Sequence, residues 1–165
     1  SFVETAHYIK RRMDIPDTEE QMMADWNSMA EEKYANDIKA KEGVIPFLKY
    51  LKAHDIKTGV ATSNSRHLAD IGIKAIGIAD YIDYSLVGCE VEHGKPAPDI
   101  YLAVADRLNV HYSRCLVFED VTKGILAGKN AGMKTCGVYD KFSEYEAEAK
   151  RELSDYYIHS FAELL

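Results

Sequence analysis

Residues 115–139 read CLVFEDVTKGILAGKNAGMKTCGVY. Cys115-Leu116-Val117-Phe118 is a short continuous apolar run, the pattern of a strand buried on both faces. Glu119 and Asp120 end it. Thr122 to Ala131 is predicted to be a helix, with Gly132 as its C-cap because glycine enters the left-handed region without a Cβ penalty. Thr135 to Tyr139 is a second apolar strand. Two buried strands separated by one helix form a βαβ unit, which requires parallel pairing. Gly124, Ala127, Gly128 and Ala131 make a stripe of small residues that lets this helix lie close to its neighbour.

The same alternation continues upstream. Val44 to His54 is predicted as a helix with Val44, Phe47, Leu48 and Leu51 on one face, and Thr58-Gly59-Val60-Ala61 as a strand. Arg66 to Ile76 is a helix, Ser85-Leu86-Val87 a strand and Pro98 to Leu108 a helix. Downstream, Tyr156-Tyr157-Ile158 is an edge strand and Phe161 to Leu165 a final helical turn. The class is therefore α/β, with a parallel sheet between helices. Ahead of Gly43 the pattern is helical only. Phe2 to Arg12 forms one helix. Asp17 or Thr18 then caps a second, from Glu19 to about Ile38, whose Met22, Met23, Trp26, Met29, Ala30 and Tyr34 form an expected core face. The chain divides into a helical part, 1–42, and an α/β part, 43–165.

Composition limits the function classes. The 165 residues carry 47% apolar side chains and a formal charge of −7. A net negative surface is a poor match to a phosphate backbone, so no nucleic-acid partner is expected. No apolar run approaches the roughly 20 residues of a membrane helix, so no membrane partner is expected. The sequence shows no secretory-signal pattern. Cys89, Cys115 and Cys136 are an odd number with no zinc-like spacing, which suits thiols in a reducing, cytoplasmic setting.

In parallel α/β sheets, ligands bind at the carboxyl ends of the strands. Three such places carry suitable groups. Thr62-Ser63-Asn64-Ser65 follows the Thr58–Ala61 strand and precedes a helix; these residues read equally as an anion site or as a simple N-cap. Glu119 and Asp120 suit a hard cation such as magnesium, or else Asp120 caps the next helix and Glu119 is solvated. Between them, Gly94-Lys95-Pro96-Ala97-Pro98-Asp99 is a stiff loop whose Lys95 suits a phosphate, or is an ordinary exposed lysine.

Their order and wording resemble the haloacid dehalogenase (HAD) superfamily. Val60-Ala61-Thr62-Ser63-Asn64-Ser65 resembles its second motif, Gly94-Lys95-Pro96-Ala97-Pro98-Asp99-Ile100-Tyr101 its third, and Leu116 to Asp120, continuing to Met133, its fourth. The closest subgroup is the one containing β-phosphoglucomutase-like and phosphoglycolate-phosphatase-like enzymes. The resemblance implies a Rossmann-like HAD core over 43–165 and part of an α-helical cap over 1–42. It implies a magnesium-dependent phosphatase acting on a small phosphorylated metabolite through a phosphoaspartyl intermediate. Asp120 would bind Mg2+, with Glu119 acting through a metal-bound water or steadying Asp120. Thr62, Ser63 and Asn64 would bind phosphate, and Lys95 would neutralise its charge. The alternatives are a β-phosphoglucomutase-like phosphomutase and an inactive regulatory module.

One motif is missing. An Asp-x-Asp-Gly at the end of a central strand should come first, and the sequence holds no Asp-x-Asp; position 142, two residues after Asp140, is Phe142. The expectation is that this first strand and its nucleophile lie on a segment outside 1–165. Without it, the strands at Thr58–Ala61 and Cys115–Phe118 lack a common neighbour, so the chain alone should neither complete its sheet nor turn over substrate.

Overall fold

The computed structural model describes residues 2–165. Two helices open the chain, α1 (Phe2–Arg12) and α2 (Glu19–Asn36). Thr18 starts α2 through a capping box: its hydroxyl accepts from Gln21 N at 3.2 Å, and Gln21 Oε1 accepts from Thr18 N at 2.7 Å. Phe2 packs edge-to-face on Trp26. The methionine face is only partly a core. Met22 is buried, but α1 and α2 diverge around a groove that leaves Met13 and Met29 largely in solvent.

The α/β part follows in the order α3 (Val44–Ala53), β1 (Gly59–Thr62), α4 (Arg66–Ala75), β2 (Tyr84–Val87) and α5 (Asp99–Arg107). It continues with β3 (Leu116–Glu119), α6 (Thr122–Asn130), β4 (Lys134–Val138), α7 (Ala147–Leu153) and β5 (Tyr156–Ile158). Gly132, at φ 71°, lets Met133 N bond Gly128 O and Gly132 N bond Lys129 O, closing α6 with a Schellman motif. The segment 140–155, unassigned from sequence, forms a 3-10 turn over Lys141–Glu146 and then α7.

All strand pairs are parallel, but they form two sheets. β1 pairs with β2, and β3-β4-β5 form a second set. Among the described residues no backbone hydrogen bond joins β1 to β3. One face is nonetheless continuous. Leu86 of β2, Ile100 and Val104 of α5, Val117 of β3 and Ala127 of α6 belong to one buried cluster. The opposite face is thinner. Phe47 of α3 meets Phe118 and Phe161 at ring separations of 5.6 and 5.7 Å, yet α3 has no fully buried residue, and Val44, Leu48 and Leu51 are half-buried.

Each sheet is pinned at its start by the same device. Asp83, just before β2, accepts from the backbone N–H of Thr58 at 2.8 Å and pairs with Lys57. Asp155, just before β5, accepts from the backbone N–H of Thr135 at 2.9 Å and pairs with Lys134 at 2.8 Å. In both cases the aspartate's own N–H returns to the threonine carbonyl at 3.0 Å. The outer edge of β2 is covered by side chains: Arg66 bonds Ser85 O and Oγ, and Glu90 accepts from Val87 N.

Candidate active site

The carboxyl ends of β1 and β3 face each other across the break between the sheets, and the residues singled out from sequence lie there. Thr62 is the last residue of β1; its hydroxyl accepts from Asn64 N at 3.2 Å, a tight turn that brings the chain into α4. Ser65 is the N-cap, accepting from Leu68 N. Capping therefore falls to Ser65, leaving Thr62 at the strand end and Ser63 exposed. Helix α2 reaches this loop: Asn64 Nδ2 donates to the Tyr34 hydroxyl at 2.9 Å, and Ser65 Oγ donates to Asn27 Oδ1.

Lys95 is held, as the two prolines imply. Its ammonium donates to Ala61 O at 3.1 Å and to Glu119 Oε1, and lies 4.9 Å from the Tyr101 ring centre. It thus links the end of β1 to the end of β3 through a side chain where no backbone bond does. Its side chain is 11% exposed and that of Glu119 is 10%. Glu119 also accepts from the Tyr101 hydroxyl at 2.5 Å. Burial, reinforced by the Glu119 charge and hydrogen bond, pushes the Tyr101 phenol far above its ordinary pKa, so it is a fixed donor. Gly124 makes room for this carboxylate, because a Cβ there would stand 2.1 Å from Glu119 Cδ. The small-residue stripe on α6 therefore serves the site at one position.

Asp120 turns the other way. Its carboxylate is 40% exposed and lies 3.5 Å from Lys41 Nζ, which also pairs with Asp140 at the end of β4. Burial opposes ionisation of Asp140, but the Lys41 hydrogen bond and the Phe142 N–H outweigh it and hold its carboxyl below the usual range. The two adjacent acids therefore have separate surroundings: Glu119 with Lys95 and Tyr101, Asp120 with Lys41 and Asp140. Among the described residues no three His, Cys, Asp or Glu side chains converge. The donor chemistry still fits magnesium, which takes one or two carboxylates and completes its shell with water and phosphate oxygens. Asp120, partly open beside Lys41, would be the oxygen donor for it, whereas Glu119 is buried against Lys95 and Tyr101.

Sequence reading did not find Lys41, Tyr101, Ser143 or Lys150 as site residues. Tyr101 was legible only as part of the third motif. Lys150 lies in the segment left unassigned from sequence; it is fully buried, and its ammonium donates to the carbonyl of Asp120. A cleft of about 760 Å³ along the outer edge of β2, lined by Arg66, Asp70, Glu90 and Arg107 among others, shares no residue with this site.

Similarity to known proteins agrees with the geometry. The sequence profile of the haloacid dehalogenase-like hydrolases matches residues 4–138. The chain is 32% identical over 122 residues to a phosphorylated carbohydrates phosphatase of Thermotoga maritima, covering 74% of the chain and 56% of that protein. It is 33% identical over 111 residues to a validoxylamine A 7'-phosphate phosphatase of Streptomyces hygroscopicus subsp. limoneus, covering 67% and 51%. The chain thus spans about half the length of these two relatives. Its fold superposes on CbbY from Rhodobacter sphaeroides in complex with phosphate with a TM-score of 0.88 at 24% identity, covering 99% of this chain and 75% of that one. It matches β-phosphoglucomutase from Clostridium difficile with a TM-score of 0.71 at 26% identity, covering 89% and 61%. With the family profile spanning most of the sequence and the motif residues gathered at the strand ends, the chain belongs to the haloacid dehalogenase-like hydrolase family.

Proposed function

We propose that the chain is the phosphate- and metal-binding part of a Mg2+-dependent phosphatase that acts on a small phosphorylated metabolite. The observation that carries this reading is the placement of Thr62, Lys95 and Asp120 at strand ends on the two sides of one break. Thr62 Oγ1 and the backbone N–H of Ser63 would donate to phosphoryl oxygens, with Asn64 beside them. Lys95, a compact charge fixed by Ala61 O and Glu119, would neutralise the dianion. Tyr101 and Glu119 hold that ammonium in place. Asp120 would hold magnesium, which supplies charge screening and a clamp on the transferring group.

The nucleophile would come from a strand seated between β1 and β3. Both facing edges lack a backbone partner among the described residues, and Val44, Leu48 and Leu51 of α3 are only half-buried. An aspartate at the end of that strand would attack phosphorus. The second acid of that Asp-x-Asp would give its proton to the leaving substrate alcohol and take one from water, which would then hydrolyse the phosphoaspartyl anhydride to phosphate and regenerate the carboxylate. A relative named for phosphorylated carbohydrates supports a small sugar phosphate as the substrate class. The three free thiols suit a cytoplasmic setting.

The test is hydrolysis of a simple phosphate ester by a polypeptide that carries an Asp-x-Asp strand ahead of residue 1. Turnover should require Mg2+, and Asp120→Asn should lower kcat/KM by about 10³-fold, the loss of several kcal/mol of transition-state stabilisation. Near-normal turnover by that variant would refute the role of Asp120. Residues 1–165 alone should be inactive; a Mg2+-dependent rate from them would place the nucleophile within the chain.

A further inference from the structure

The helical segment after β4 holds the turn that carries Asp120. Lys150 of α7 is completely buried, and its ammonium donates to Asp120 O at 3.0 Å, Ser143 Oγ at 2.9 Å and Val138 O at 3.2 Å. Ser143 is 4% exposed and donates its own proton to the same Asp120 carbonyl at 2.5 Å. Two residues on, the backbone N–H of Thr122 donates to Glu146 Oε2 at 2.7 Å. That N–H belongs to the first turn of α6, whose N-cap, Val121, has no side-chain acceptor to offer. Both ends of the 120–122 turn are thus gripped by one segment, by Ser143 and Glu146 of the kinked 3-10 turn and Lys150 of α7.

A buried ammonium is an expensive way to hold a fold together. Taking the charge out of water costs several kcal/mol, and an apolar side chain of similar volume commonly does as well or better. Here the donors are spent on two backbone carbonyls and a hydroxyl, and two of these three partners meet at Asp120. Such a carbonyl is fixed from two directions, which restrains the 120–121 peptide next to the Cα from which the Asp120 side chain branches.

We propose that Ser143, Glu146 and Lys150 are positioning residues, holding the Asp120–Thr122 turn so that the Asp120 carboxylate is aimed at a divalent cation. The proposal rests on the reading of Asp120 as a cation ligand and adds the residues that aim it.

The experiment is a Mn2+ titration followed by paramagnetic broadening of backbone amide signals, with the thermal midpoint measured alongside. The wild-type polypeptide that carries an Asp-x-Asp strand ahead of residue 1, in which every variant is made, should show broadening centred on Asp120. Lys150→Met should weaken Mn2+ binding about ten-fold, as supporting residues around metal ligands do, and Ser143→Ala roughly three-fold, the worth of one hydrogen bond. Leu68→Ala, a fully buried position in α4 on the other half of the core, supplies a destabilised control that should bind as wild type. Unchanged affinity in both site variants would overturn the proposal, and so would an equal loss in Leu68→Ala. If Lys150→Met does not fold, Ser143→Ala decides alone. Absence of broadening near Asp120 in the wild type would remove the cation reading itself, and the positioning role with it, before any substitution is compared.

Discussion

Gly124→Ala is the substitution whose outcome depends most directly on the site geometry. In an ordinary helix it would stabilise, since alanine is favoured over glycine by about 1 kcal/mol. Here the added methyl would stand 2.1 Å from Glu119 Cδ and 2.4 Å from each carboxylate oxygen. Non-bonded carbons settle at about 3.5–4.0 Å, so the carboxylate must retreat by roughly 1.5 Å. Tyr101 now reaches Glu119 at 2.5 Å, and that displacement carries it past the hydrogen-bond limit. Lys95 loses the same partner. Two hydrogen bonds to a charged acceptor are worth about 1.5–3 kcal/mol each, so after the helix gain the net loss is roughly 2–5 kcal/mol. For a chain of this size that is a fall in Tm on the order of 10 °C. Urea unfolding followed by circular dichroism measures it, as a cycle with Glu119→Ala. In the Glu119→Ala background the obstacle is gone, and Gly124→Ala should become stabilising by about 1 kcal/mol. A neutral or stabilising effect in the wild type, or the same loss in both backgrounds, would refute the reasoning.

Asp155 carries a pH dependence. Its bond to Lys134, then the Thr135 N–H, hold its carboxyl down to about 2 against an unfolded value of 3.8. A depressed carboxylate stabilises the fold above the unfolded pKa and loses that contribution as pH falls through the folded one. Asp155→Asn should therefore lower Tm at pH 6 and flatten its decline between pH 4 and 2; a decline as steep as that of the wild type would count against the clip. Burial, with a smaller push from Glu163, raises the Cys136 thiol to about 11, whereas Cys89 is exposed. A disulfide reagent at pH 8 should label Cys89 promptly and Cys136 only on unfolding, and prompt labelling of Cys136 would contradict its burial.

The elements most legible in the sequence were those with a local cause. The strands at 116–119 and 134–138 are short apolar runs, and Gly132 closes α6 where a left-handed residue was needed. Thr62 and Asp120 were singled out because residues after parallel strands are where ligands gather, and Lys95 because two prolines stiffen its loop. What escaped reading depends on partners far apart in sequence. Nothing local says that Glu119 pairs with Lys95 and Tyr101 while its neighbour Asp120 faces Lys41. The stretch around Lys150 mixes acids and bases with no apolar periodicity, yet that lysine is fully buried, its ammonium on two carbonyls at strand ends and the Ser143 hydroxyl. The methionine face of α2 failed in the opposite sense, since its apolar spacing is regular but α1 covers only part of it.

The Lys-Thr and Asp clip that opens each sheet is a ruler as much as a fastener. Lys57-Thr58 with Asp83 and Lys134-Thr135 with Asp155 each tie the residue just before a strand pair to its opposite number. A slip of one residue would break the carboxylate bond and turn every side chain of the strand to the wrong face. Each half therefore sets its own alignment without reference to the other. A strand entering between β1 and β3 would meet two edges whose registers are already decided, and it would fit only where its own alternation satisfies both. On the β1 side that alignment is written in Asp83, and on the β3 side in the pairing of β3 with β4, one strand in from the Asp155 clip.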